Sequence, residues 1–420
     1  MYYLIYVVYA AAAGYAFKRS RLTRSSGLQT PVFIGLYLFT ILCSIGFAYY
    51  FSHFHLANDY LVYNRHGWEE YQLLIQNPSE FFTNITDSNY ANPYGNYFEA
   101  DGSYWNDLRN NIVIKILALM NLLSQGNFYI NTLFFSLISF WGKLALFQLF
   151  KKPYPHHTVS LIIGCFLLPS TCVFLSGIHK DALLFCLLVF FSRQLYQLSS
   201  HSFKFSRLVS ALLIFLSILL LRNYVALALI PLIISWSIAR KTTWKPVYIF
   251  LTIYAFIFIA ISILEISVPG FRPLEIISQR QKDFLALPVS STQLPMKTLE
   301  PTLQSFLASL PMALNHVFLH PLPGAFKALY LIFYTIENVF YILVFLTFCF
   351  TPLKQEKNRQ REMLNTYFIF LALSIFLFIG FTIPAVGAII RYKSLYLPFL
   401  ISPILCNIDW KKIGFKSYIK

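Results

Sequence analysis

The sequence predicts an all-α, polytopic integral membrane protein, and three observations carry that prediction. Of 420 residues, 57% are hydrophobic and only 12% charged, whereas a soluble domain carries about a quarter charged residues. Mean hydropathy is +0.59. The apolar residues are also gathered into runs close to the roughly 17–25 residues that cross a bilayer as a helix, with short basic stretches between them.

Taken in order, the runs predict about eleven spans in a single transmembrane domain covering 1–420. They lie near 1–17, 31–54, 128–150, 158–177, 182–198, 206–221, 224–239, 246–264, 326–350, 364–383 and 394–408. The first, MYYLIYVVYAAAAGYAF, has no basic residues ahead of it and is read as a retained helix rather than a secretory signal. Residues 112–124 (IVIKILALMNLLS) alternate as an amphipathic helix expected to lie along the surface. Two long segments between spans, about 55–127 and 265–325, are expected to be external. The second is rich in Pro and Ser and reads as irregular chain with short helices.

Charge sets the orientation. Most of the 33 Lys and Arg fall in six places: KRSRLTR (18–24), Lys151–Lys152, the stretch around Arg193, Lys204 and Arg207, ARKTTWK (239–245), KQEKNRQR (354–361) and the tail with Lys411, Lys412, Lys416 and Lys420. Threaded through eleven spans, all six lie on one side, which the positive-inside rule makes cytoplasmic, with the N-terminus outside. The acids Asp59, Glu69, Glu70, Glu80, Asp87, Glu99, Asp101 and Asp107 share one external segment. The net charge of +16 is thereby explained by cytoplasmic loops, and no nucleic-acid partner is expected. Cys43, Cys165, Cys172, Cys186, Cys349 and Cys406 form no CxxC pair and read as lipid-facing or core thiols.

The candidate chemistry collects on the external side. Asp59 stands where the second span gives way to the long loop, with Tyr63 one turn on. A carboxylate there reads as a general base for an acceptor hydroxyl or as a solvated loop start, and Glu69 and Glu70 are further acids of the same loop. In LPSTCVFLSGIHKDALLFCLLVFF (168–191) a His179-Lys180-Asp181 triplet interrupts apolar sequence. Lys180 reads as a ligand for a phosphate, as a snorkelling interface residue, or as the partner of Asp181. Arg222 in LLLRNYVAL and Arg391 with Tyr392 in AIIRYKS are cations closely flanked by apolar residues. Such residues usually face a bundle interior or cavity. Three cations on the face that should be poor in them suggest a bound anion, and Arg forks suit phosphate. Interface anchoring is the alternative. Glu337 in FYTIENVFYI is intramembrane and reads as functional or as bonded to a neighbouring Tyr or Ser. His53, His55 and His66 do not make a metal-ligand spacing with the nearby acids, and no cofactor is expected. Neither a phosphate-binding glycine loop nor a GxSxG elbow is present.

Three stretches together, YWNDLRNNIVIKILALMNLLSQGNFYIN (104–131), LPSTCVFLSGIHKDALLF (168–185) and IIRYKSLYLPFLISP (389–403), resemble uncharacterised polytopic membrane proteins of Bacteroidetes-type bacteria that occur with surface-polysaccharide genes. More distantly the layout is similar to the type-C glycosyltransferase superfamily. That resemblance implies a multi-pass enzyme of the inner (plasma) membrane, taking a lipid-linked sugar donor and a glycan or lipid acceptor in contact with membrane lipids. Carried onto this chain, the catalytic acid is Asp59, and the donor phosphates are bound by Lys180, Arg222 and Arg391, with His179, Asp181 and Tyr392 beside them. The chain departs from the pattern in two ways. The acidic loop follows the second helix rather than the first, and no Asp-x-Asp or Glu-Asp pair stands where one is expected, which leaves Glu69 and Glu70 as alternative acids. The rivals are a polysaccharide polymerase or O-antigen ligase relying on Arg272, Arg280, His316 and His320 in the later loop, a glycolipid transporter or flippase, and a structural scaffold.

Overall fold

The computed structural model describes residues 2–54, 58–86, 104–200, 204–268, 270, 272–323, 329–353 and 358–414. His55, Asp87, Glu99, Asp101, Lys354, Lys357, Lys416 and Lys420 from the sequence reading lie outside these residues. The described chain is helical throughout. Its β-type pairing consists of isolated bridges, Gln293 with Ala385 and Pro352 with Ile408. This follows from the composition, because in an apolar medium a helix satisfies every backbone N–H and C=O within its own segment.

Among the described residues six helices are long and apolar enough to cross a membrane: Thr30–His53, Phe128–Lys151, Lys180–Leu198, Pro246–Glu265, Leu331–Phe350 and Arg359–Thr382. A seventh counts if Val386–Ser394 and Leu397–Cys406, bent by 63° at their junction, form one span. These are the marks of a multi-pass membrane protein, with fewer qualifying helices than the eleven expected. The shortfall has local causes. Tyr2–Arg19 is helical, but its five tyrosines and two terminal cations dilute its hydropathy. The run 158–177 is not one helix: Thr158–Phe166 ends, Leu167 and Leu168 leave the helical path, and Pro169 opens a separate short helix to Phe174. Proline lacks the N–H a continuing helix needs and restricts the residue before it. Phe205–Leu221 and Asn223–Ala239 are only 17 residues each, rising about 26 Å against a hydrocarbon core of about 30 Å.

The chain falls into two compact units. The first comprises 1–148, 172–193 and 210–222, the second 149–171, 194–209 and 223–420. In the first unit Tyr2–Arg19 packs on Thr30–His53. Gly14 lets the Tyr37 ring approach to 2.8 Å of where a Cβ would stand, and the Tyr37 hydroxyl donates to the Ala10 carbonyl at 2.6 Å. The long loop of the sequence reading is itself folded. Asp59–Gln76 packs along Tyr104–Ser124, which starts eight residues earlier than the amphipathic pattern suggested. Gly67 seats Leu117 between them, where any Cβ would sit 2.7 Å from that side chain. Lys115 is buried beneath Glu70 (2.5 Å), Asn84 and the face of Phe81 (4.0 Å), clamping the short helix Pro78–Thr83 to the pair. At the far end, Gln125 and Gly126 turn the chain with positive φ. A buried amide network, in which Asn131 Nδ2 donates to Asn64 and Asn121, fixes the turn.

In the second unit Asn223–Ala239, Pro246–Ser267 and Leu303–Phe318 all pack on Arg359–Thr382. Gly380 is required there, because a Cβ would meet the Ala313 carbonyl oxygen at 2.3 Å. The Arg359 guanidinium donates to the carbonyls of Ala239, Thr242, Thr243 and Trp244, closing the exposed C-terminus of Asn223–Ala239 with a cation. The later long loop holds two helices, Pro273–Ala286 and Leu303–Phe318, joined by irregular chain. Gln281 ties that irregular chain down, accepting from the Leu299 N–H at 2.7 Å and donating to the Phe381 carbonyl at 2.8 Å.

Candidate functional site

The polar stretch SGIHKD that interrupts the apolar sequence is not solvated. Residues 175–179 leave the helical path and a new helix begins at Lys180. Gly177 is needed because the Phe47 ring comes within 2.4 Å of a Cβ position. Ile178 and Ala182, on either side of the polar triplet, are fully buried in an apolar cluster with Leu117 and Phe135. The triplet is therefore drawn inward by its neighbours, and His179, Lys180 and Asp181 are 4%, 9% and 2% exposed.

Such burial requires compensation. Asp181 lies in the first turn of its helix, where the N-terminal dipole favours an anion. One carboxylate oxygen accepts from Arg222 Nη2 at 2.5 Å, and the other lies 2.8 Å from His179 Nδ1. Arg222, itself 5% exposed, is in the break after Phe205–Leu221, its own N–H still donating to the Ile218 carbonyl. Two segments 41 residues apart are thus joined by one carboxylate. The Asp181 backbone N–H also donates to His179 Nδ1, at 3.3 Å.

The helix Asp59–Gln76 presents its start to this group. Asn58 caps it, its side chain accepting from the Leu61 N–H at 3.0 Å. Tyr60 and Tyr63 turn their rings edge-on to His179, at 6.0 and 5.8 Å between centroids, and the Tyr63 hydroxyl donates to Asn110 at 2.8 Å. Asp59 is exposed at the first helical position, one turn before Tyr63 on the same face. The structure thus brings Asp59, His179, Lys180, Asp181 and Arg222 into one region of the first unit. Glu69 and Glu70 are elsewhere, roughly 15 Å farther along the same helix. Glu69 is exposed beside Arg65 at 3.9 Å, and Glu70 is held by Lys115. Arg391 and Tyr392 are half-buried residues of Val386–Ser394, in the second unit.

The second unit contains a polar node that the sequence reading touched only at Glu337. This carboxylate accepts from the Ser170 N–H at 3.0 Å, from the Ser170 hydroxyl at 2.9 Å and from the Tyr341 hydroxyl. It caps the helix that restarts at Pro169, so the Tyr-or-Ser alternative describes its contacts. Beside it Lys393, 4% exposed, donates to the carbonyls of Val317 and His320 and to Asn338 Oδ1 at 3.0–3.2 Å. Asn338 Nδ2 returns two bonds to the Phe318 and Leu319 carbonyls. While Arg391 is half-buried, the buried cation of AIIRYKS is Lys393, which the sequence reading did not single out. Its one available signal was the helical spacing that puts it on the face of Ile389 and Ile390. His316 and His320 face each other at 6.0 Å, and burial above all pushes both imidazoles below their ordinary value.

Among the described residues no three His, Cys, Asp or Glu converge as a metal site. Comparison with family models, with curated proteins and with solved structures gave no match.

Proposed function

We propose that this protein is a membrane glycosyltransferase of surface polysaccharide or glycolipid synthesis, taking a polyprenyl-phosphate-linked sugar at the external face of the inner membrane. The observation that supports this reading best is that Arg222 and the His179-Lys180-Asp181 run are buried together against the helix that begins with Asp59. In this reading Lys180 and Arg222 stabilise the departing lipid phosphate, which needs fixed cations in a water-poor site. Asp181 holds Arg222 and His179 in place, and Asp59, exposed at the rim, deprotonates or orients the acceptor hydroxyl. No metal is required by this scheme.

Asp59→Asn and Lys180→Ala, introduced separately into the chromosomal gene, test the proposal. Each is expected to reduce the surface glycan at least about tenfold, the loss of one well-placed catalytic or phosphate-binding group. Unchanged glycan in both strains at normal protein level would refute it.

One structural feature favours a second reading, a glycolipid transporter. The apolar stretches 158–174 and 386–406 are both interrupted, and their parts Thr158–Phe166 and Leu397–Cys406 pack on each other at Gly164 and Ser402. Broken helices are where transporters place substrate sites. A cysteine at position 180 labelled from one face only supports the enzyme; labelling from both faces in turn supports the transporter.

A further inference from the structure

The second unit carries a group of cations that neither the proposed sugar transfer nor the polar node at Glu337 uses. It starts in KKPYPHHT (151–158), one of the basic stretches that the charge pattern assigns to the cytoplasmic side. Pro153 and Pro155 keep this stretch from continuing the spanning helix Phe128–Lys151. Tyr154 anchors it: the residue is buried, and its hydroxyl accepts from Asn365 Nδ2 and Asn407 Nδ2, each at 2.6 Å. Lys151 Nζ closes the turn on the Pro155 carbonyl at 2.6 Å and on the Thr158 hydroxyl.

This anchoring crowds like charges. The Arg361 guanidinium lies over the Tyr154 ring, 5.8 Å from its centroid, and the His157 ring meets the same ring edge-on at 5.9 Å. Lys152 Nζ stands 5.4 Å over the ring of Tyr196, whose hydroxyl donates at 3.0 Å to Gln360, the residue before Arg361. Aromatic faces attract cations but do not neutralise them. Of the acids in the adjoining segments, Glu362 is exposed and Asp409 lies 4.0 Å from Lys412. Burial, and then the charges of His156, Arg361 and Lys151, hold the His157 imidazole below its ordinary value. The positive end of Thr158–Phe166, which no side chain caps, adds to the same field. All of this lies where Phe128–Lys151 ends and Arg359–Thr382 begins. The ends of spanning helices stand at the level of lipid headgroups, and a guanidinium fork suits phosphate. We propose that Lys152, His157 and Arg361 bind a phosphate group at the membrane surface, that of an anionic phospholipid.

The test uses the full-length protein in a neutral detergent, titrated separately with phosphatidylglycerol, phosphatidylcholine and inorganic phosphate, with bound molecules counted by native mass spectrometry. Phosphatidylglycerol is expected to bind about tenfold more tightly than phosphatidylcholine. Lys152→Gln and Arg361→Gln should each weaken that binding about fivefold, the contribution of one cation at a membrane surface. Lys18→Gln, in another basic stretch, should leave it unchanged. Lys152 is exposed, so its variant decides even if Arg361→Gln does not fold. Binding of inorganic phosphate, weakened by the same two variants, without a preference for phosphatidylglycerol would keep the phosphate site and give it a soluble ligand. Equal binding of the two lipids with no binding of phosphate, unchanged binding in a folded Lys152→Gln, or an equal loss in Lys18→Gln, the mark of diffuse attraction to a basic face, would overturn the proposal.

Discussion

The two units each bury an acid near a cation, but they connect these charges differently. In the second unit Glu337 and Lys393 spend their hydrogen bonds mainly on the protein's own helix ends: Ser170 at a helix start, and the carbonyls of Val317 and His320 at a helix finish. Charge there substitutes for missing backbone partners, a structural task created by breaks in apolar helices. In the first unit Asp181 joins Arg222, 41 residues away, to its own neighbour His179, beside a helix start carrying an exposed carboxylate. Side chains aligned with one another, rather than with loose backbone ends, are what the proposed substrate site would use. Burial of an ionisable group therefore does not by itself distinguish scaffold from site; the identity of its partners does.

Mutations should separate the two arrangements, and the largest effect is expected in the first unit. Arg222→Ala leaves Asp181 buried without its cation and should cost about 3–5 kcal/mol, read as a strongly lowered unfolding temperature in detergent. Replacing Arg222 and Asp181 together by leucines should recover much of that loss, because the penalty lies in the orphaned charge. Lys393→Met removes three donors and should cost roughly 1–3 kcal/mol, with no comparable change expected in the Asp181 network. Glu337→Gln should cost less, about 1 kcal/mol, since the amide oxygen still accepts from Ser170 and Tyr341. A Glu337→Gln effect equal to that of Arg222→Ala would erase the distinction between the units.

The smallest expected effect is pH dependence in the later loop. Burial, followed by repulsion from His320, depresses His316; burial, followed by repulsion from Lys393, depresses His320. A histidine depressed on folding binds its proton more readily when unfolded. Stability should therefore be intact above the ordinary value of 6.5 and decline as pH falls from there through the depressed folded values. His316→Gln should flatten that decline in thermal unfolding scans between pH 7 and 5.

The helical architecture was legible because hydropathy reports directly which segments avoid water. The breaks were less so. Leu167 and Leu168 are as apolar as their neighbours, and only Pro169 hinted that 158–177 holds two helices. The residues of the candidate site were legible by type but not by partner. The triplet invited a Lys180–Asp181 pair, yet the carboxylate oxygens turn to Arg222 and His179. A contact between residues 41 apart is set by tertiary packing, which no local pattern encodes. Lys115 and Lys393 escaped selection for the same reason: each lies in a stretch whose apolar neighbours matched a plain helix, and only packing shows what the ammonium touches.

Photo-crosslinking with a diazirine-bearing polyprenyl phosphate in membranes addresses the central claim most directly. The account predicts label on the peptide containing residues 177–181, displaced by unlabelled polyprenyl phosphate and lost in Lys180→Ala. Label confined to other segments, or undiminished in a stable Lys180→Ala protein, would contradict it.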